Sequence, residues 1–292
     1  MKKALWAAGV LLILVAAAYF GLMWTVSRTV AAQMEQLVEK NPAVREISYD
    51  TLRMDLLDPS IHLNQVRVTL SKSPKPVSID RITLFDIWGY AKPENKPFHV
   101  ALSGVAIGRE LIPEVYEAMA TLGYQELVLD AECFAGYQTE GGRVDIQQLK
   151  VGARGMGEVE IRLQMANVDI GKFQKDPKAI SLLQILLALP AATVSSAGLN
   201  YTDESLARRL LSMKADEGDT FGDLAISRID QLLDKEKREV ARGVFTSVRD
   251  FLKSPEQIAI DIQPQVPVSF LQLAMTRNLP DFIGLVGLTV RR

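Results

Sequence analysis

The sequence predicts an α+β protein in which an N-terminal transmembrane helix precedes a long antiparallel β-meander with packed amphipathic helices. Three observations carry this expectation. Ala4–Val26 runs for twenty-three residues without an ionisable side chain. Between residues 43 and 172, apolar and polar residues alternate with period two, the pattern of half-buried strands. After Asp176 the apolar residues recur every three or four positions instead, as on amphipathic helices. The expected organisation is an anchor over 1–26, a juxtamembrane helical stalk over 27–42, a β-rich region with one helix over 43–172, and a helix-rich region over 173–292 packed on the same sheet.

At 1.5 Å per helical residue, Ala4–Val26 reaches roughly 34 Å, enough to cross a hydrocarbon core of about 30 Å. Lys2 and Lys3 precede it and Arg28 closes it. Trp6, Leu12, Leu14, Phe20 and Trp24 are the expected membrane-facing residues, with the tryptophans toward the interfaces. A cleaved secretory signal is the competing reading, with Ala16-Ala17-Ala18 as a small-residue cut site. The apolar run continues past Ala18 through Phe20, Leu22, Met23 and Trp24, which favours a retained signal-anchor. The two lysines place the short N-terminus inside and the body across the membrane. A single cysteine, Cys133, rules out an internal disulfide, so the body must be stabilised by its core.

Val30, Met34 and Leu37/Val38 at helical spacing extend the anchor into a stalk that Asn41-Pro42 ends. Ile47–Leu56 alternates as a first strand, and Asp58-Pro59 turns the chain. Ile61–Leu70 is a second strand whose phase changes between Leu63 and Val66, the sign of a bulge. Val77–Phe85 and Phe98–Ile107 follow as strands, and Glu110–Leu122 as a helix with Leu111, Val115 and Met119 four apart. Glu126–Thr139 and Arg143–Lys150 form a hairpin across Glu140-Gly141-Gly142. Val159–Met165 is the cleanest alternating strand.

Ile180–Leu189 is apolar almost all round and too short to span a bilayer, so it is a helix that needs covering. Thr193–Thr202 reads as a strand and Thr202–Lys214 as a helix. Thr220 and Asp223 make a capping-box-like start to one or two helices that run to Lys253. Ile258–Ile262 is a strand, Val268–Met275 a short helix, and Leu285–Val290 a final strand.

Composition excludes some functions. The net charge is −2 with no block of like charge, so there is no footprint for nucleic acid. There is no His-Glu-x-x-His, cysteine cluster or Gly-x-Ser-x-Gly, so the usual zinc and α/β-hydrolase signatures are absent. His62 and His99 read as ordinary strand residues, and Cys133 as a small core hydrophobe. Gly152–Gly157 has the wrong spacing for a dinucleotide loop and leads into a strand, so it is a turn. Asp130/Glu132 and Glu158/Glu160 lie two apart, on one solvated sheet face. No catalytic residue, cofactor or metal site is expected.

Residues 45–88 follow a pattern already known. Ile47–Leu56, Pro59-Ser-Ile61-His-Leu63-Asn-Gln-Val66-Arg-Val68 and Val77-Ser-Ile79-Asp-Arg-Ile82 resemble the start of AsmA-like bacterial envelope proteins. The resemblance covers the anchor and these strands. It implies a bacterial inner-membrane anchor, a periplasmic β-rich groove, and a role in phospholipid traffic or outer-membrane assembly. The helical region 203–253 departs from that family's repetitive groove.

The expected function is therefore non-enzymatic: binding phospholipid or fatty acyl chains, or an envelope partner. Acyl chains are expected between the sheet's apolar face and Ile180, Leu183, Leu186, Leu187, Phe221, Leu224, Val244 and Val248. The alternative is a scaffold that docks another envelope protein through helix 221–253 or a sheet edge.

Overall fold

The computed structural model describes residues 28–32, 34–36, 38–55, 58–71, 73, 75–86, 98–168, 191–215, 218–276 and 278–292. Ala4–Val26, with Trp6, Leu12, Leu14, Phe20 and Trp24, lies outside them, as does Ile180–Leu189. Among the described residues no helix is long and apolar enough to cross a membrane. The longest described helices have 15 residues each, about 22 Å, short of the roughly 30 Å required. The expected single-pass signal-anchor and the inner-membrane localisation built on it are corrected accordingly. The fold class is corrected with them, to a mostly antiparallel β protein with flanking helices and no membrane-spanning helix among the described residues.

The chain divides into two compact units, residues 1–87 with 102–113, and residues 88–101 with 114–292. In the first unit, β1 (Val44–Ser48) and β2 (Thr51–Asp55) lie end to end along β3 (Ser60–Leu70). On its other side β3 pairs with β4 (Val77–Leu84). The expected phase change falls at Gln65, whose left-handed φ of 52° resets the side-chain alternation. The register on β4 is nevertheless kept, with Asn64 opposite Arg81 and Val66 opposite Ile79. The apolar phase of β4 shifts at the same level, so Leu63, Val66 and Ile79 share one core. The helical residues Val30 and Met34 pack against that core instead of forming a free stalk. Asn41 ends their helix, its side chain accepting from the Ala43 amide at 3.1 Å.

β5 (Phe98–Ala106) crosses the division, with residues 98–101 in the second unit and 102–106 in the first. The second unit continues through α1 (Pro113–Thr121) and the strands β6 (Val128–Gln138), β7 (Arg143–Ala153), β8 (Gly157–Ala166) and β9 (Thr193–Asp203). Three helices follow, α2 (Leu206–Ser212), α3 (Phe221–Lys235) and α4 (Glu239–Lys253). The chain ends as β10 (Gln257–Ile262), β11 (Val268–Ser269), α5 (Phe270–Met275), α6 (Leu279–Val286) and β12 (Leu288–Arg291). Each of β7 through β10 pairs antiparallel with its predecessor in chain order, β12 pairs with β10, and β11 pairs with the start of β9. The change of composition at 172/173 falls inside this unit, between paired strands.

The expected capping box at α3 is formed: Asp223 N donates to Thr220 Oγ1 at 3.1 Å and Thr220 N to Asp223 Oδ2 at 3.2 Å. Arg242 of α4 reaches back to the Leu233 and Glu236 carbonyls at 2.5 and 3.0 Å, satisfying the end of α3. The expected strand Leu285–Val290 is instead the end of α6 followed by β12. Asn278 caps α6, accepting from Asp281 N at 2.9 Å, and Gly287 ends it at φ 58°. An added Cβ at Gly287 would meet the Gln263 carbonyl oxygen well inside van der Waals contact. Gly287→Ala is expected to cost about 2 kcal/mol from the left-handed backbone alone, with the clash adding to it. Urea denaturation followed by circular dichroism measures that loss.

Candidate ligand-binding site

The register of the second unit's strands gathers the apolar residues into rows on one face. One row is Ala131, Val151, Val159, Tyr201 and Ile258. The next is Cys133, Leu149, Ile161, Leu199, Ile260 and Val290, and a third is Ala135, Ile146, Leu163, Ala197, Ile262 and Leu288. At the β9–β10–β12 end this face is closed by helices. Phe251 of α4 meets the Tyr201 ring edge-on at 6.1 Å. Leu288 and Val290 pack on a buried cluster of Leu233, Ala241, Val244, Phe245 and Ile283.

Over β6, β7 and β8 the rows are half-buried. No residue of β6 or β7 is fully buried, and on β8 only Gly157 is. Val151 is 40% exposed although it lies in the middle of an apolar row. The strip from Leu129 to Tyr137 is roughly 27 Å long, and three strands make it about 10 Å wide. Its outer strand carries small residues, Ala131, Cys133 and Ala135, beside the larger Leu149, Val151 and Ile146. The register carries an irregularity on β7 between Ile146 and Leu149 and another on β9 at Ser195, on either side of β8, and such bulges bend a sheet locally. Burial pushes the Cys133 thiol above its ordinary pKa, away from the thiolate a nucleophile needs.

The opposite face is charged. Glu132, Lys150 and Glu160 are neighbours across β6–β8, as are Asp130 and Arg154 across the β6–β7 edge. Lys150 pairs with Glu158 at 2.9 Å, Arg154 with Asp130 at 3.0 Å, and Arg162 with Glu160 at 3.6 Å. The hydrogen bond from Lys150 to Glu158 raises the lysine's pKa. His99 Nε2 meets Glu132 Oε1 at 2.7 Å while its ring stacks on Phe134 at 4.8 Å. The two carboxylate pairs singled out in the sequence are thus members of an ion-paired solvated face. Among the described residues no group of three or more His, Cys, Asp or Glu is placed to hold a metal ion.

The glycine-rich segment 152–157 is the turn between β7 and β8, and a polar network holds it to the β9–α2 corner. Glu204 accepts from the Gly155 amide at 2.7 Å, and Ser205 Oγ donates to the Gly155 carbonyl at 2.6 Å. The Met156 carbonyl accepts from the amides of Glu204, Ser205 and Leu206. Asp203 lies beneath them with its side chain 0% exposed. It accepts from Tyr201 Oη and Ala207 N, both at 2.7 Å, and from Arg208 Nε at 3.1 Å.

The four expected acyl-facing residues that are described are not gathered in one place. Ile180, Leu183, Leu186 and Leu187 lie outside the described residues. Phe221 and Leu224 face outward on α3, 50% and 39% exposed. Val244 belongs to the buried cluster under α4, and Val248 is half-buried farther along the same helix. A cleft of about 670 Å3 opens where α2, the start of α3 and the end of α4 meet, lined by charges of both signs, Arg208, Lys253, Asp223 and Glu256.

A second, smaller cleft in the first unit went unnoticed in the sequence. It holds about 420 Å3 and is lined by Thr51, Arg53, His62, Asn64 and Arg81. Alternation places these residues opposite Leu52 and Leu63, but only the register brings the three strands' polar positions together.

A family model described only as an uncharacterized protein matches residues 150–292, from near the end of β7 onward. No curated protein matches the chain.

Proposed function

We propose that the protein is a non-catalytic lipid-binding protein that holds an acyl chain along the apolar strip of β6–β8. The observation that carries this reading is one continuous apolar sheet face: its rows pack against α4 and the buried cluster at the β10–β12 end, while over β6–β8 they remain half-buried with Val151 40% exposed. The strip's shape supports a long, thin ligand, about 27 Å by 10 Å on strand spacing. Ligand sites are concave and mostly apolar, and the small residues of β6 beside the larger ones of β7 supply that relief. The resemblance of residues 45–88 to AsmA-like proteins supports the same reading through phospholipid traffic or envelope assembly.

A dansylated fatty acid titrated into the full-length protein is expected to bind saturably, with acyl density in native mass spectra of the untreated sample. Val151→Asp is expected to weaken binding by about tenfold or more, because the new carboxylate would be desolvated beneath the chain. Glu160→Gln, on the charged face, is expected to leave it unchanged. Absence of saturable binding together with lipid-free spectra would overturn the proposal.

A further inference from the structure

We propose that the polar face of β2–β4 is a phosphate-binding site, separate from the apolar strip of the second unit. Thr51, Asn64 and Arg81 stand in one cross-strand row, and Arg53, His62 and Thr83 in the next. Asn64 fixes the first row: its Nδ2 donates to Thr51 Oγ1 at 3.1 Å and its Oδ1 accepts from Arg81 Nε at 3.1 Å. The bond to Nε leaves the terminal amino groups of Arg81 to donate outward, and the Thr51 hydroxyl keeps its proton for the cleft. The second row is equally fixed, with the His62 ring between Ser60 Oγ at 3.1 Å and Thr83 Oγ1 at 3.0 Å.

Among the described residues Arg53 forms no ion pair and no carboxylate lines the cleft. The nearby Asp50 is engaged by Arg67 at 3.2 Å. Two guanidinium groups therefore share a concavity of about 420 Å3 with no carboxylate in its described lining. They rise from the two strands flanking β3, about 10 Å apart, and long side chains can converge from there on one group. A carboxylate has two oxygens for one arginine fork; a phosphate has enough for both forks and the Thr51 hydroxyl. The volume exceeds that of a bare anion, which points to a phosphate carried on a small molecule.

Isothermal titration calorimetry of the full-length protein with inorganic phosphate, glycerol 3-phosphate and acetate tests this at low salt. Both phosphates are expected to bind at one site and more tightly than acetate. Tighter binding of the glycerol ester identifies an esterified phosphate as the natural ligand, and tighter inorganic phosphate a free one. Arg53→Met and Arg81→Met retain the aliphatic stems and are each expected to weaken phosphate binding by about tenfold. Arg53 is an exposed side chain without an ion pair among the described residues, so the thermal midpoint of Arg53→Met is expected to match the parent's. No saturable heat with either phosphate, acetate binding as tightly, or unchanged affinity in both variants would overturn the proposal.

Discussion

Replacing Asp203 with alanine is expected to destabilise the protein by about 3–5 kcal/mol, the cost of removing one partner from a buried charged network. The carboxylate has no exposed side-chain surface and receives bonds from Tyr201, Ala207 and Arg208. Ser205, the residue before α2, makes no side-chain cap because its hydroxyl is committed to Gly155 and Tyr124. Asp203 therefore performs the cap's task from two residues upstream. Alanine leaves three donors without an acceptor and frees the corner that holds the β7–β8 turn.

The pH dependence of the same residue separates its charge from its shape. Burial pushes the Asp203 pKa upward, but the bonds from Tyr201, the Ala207 amide and Arg208 outweigh it and hold the carboxyl below its ordinary value. Burial, reinforced by the bond to Asp203, raises the Tyr201 pKa, so the phenol remains a donor throughout the neutral range. A depressed carboxylate pKa contributes stability that is complete above the unfolded value of about 3.9 and is lost as pH falls through the folded value. Urea midpoints of the parent should fall with pH in that acid window. Asp203→Asn keeps the shape without a titrating group, so it should be less stable at pH 7 and lack this component of the acid decline.

Strands with strict alternation were legible because a half-buried sheet imposes period two directly on the residues. The expected limits of Val159–Met165 and of the hairpin across Glu140-Gly141-Gly142 lie within three residues of the observed ones. The capping box at Thr220 was legible for a similarly local reason. α6 was missed although Asn278, Asp281 and Gly287 carry cap signals, because Leu285-Val286-Gly287-Leu288 is apolar enough to read as a strand. The candidate sites were less legible. Arg53, Asn64 and Arg81 come from three strands, and no single stretch of sequence encodes the register that joins them. Asp203 resembles any acidic residue near a helix start until its burial is known. Val244 illustrates the converse: an amphipathic helix specifies which side chains need cover, and here Leu233, Phe245 and Ile283 provide it.

That assignment of Val244 and its neighbours to the core leads to the second large effect. Ile283→Ala is expected to cost about 3–4 kcal/mol, within the range for truncating a fully buried aliphatic side chain. Ile283 is 1% exposed and joins α6 to Phe245 and Val244 of α4 and Leu233 of α3. Three helices and the Leu288–Val290 edge of the sheet enclose it, so little can move in to fill the space. Ile283→Val should cost only about 1 kcal/mol, since it removes one methyl group. Phe245→Ala should resemble Ile283→Ala, and the double variant should lose less than the sum because both empty one shared space. Dansyl fatty acid binding to the still-folded Ile283→Ala protein then locates the ligand. Unchanged affinity is expected if the acyl chain lies on β6–β8. An affinity that changes in step with stability would place the ligand beneath α4, where Val244 and Val248 would belong to its site.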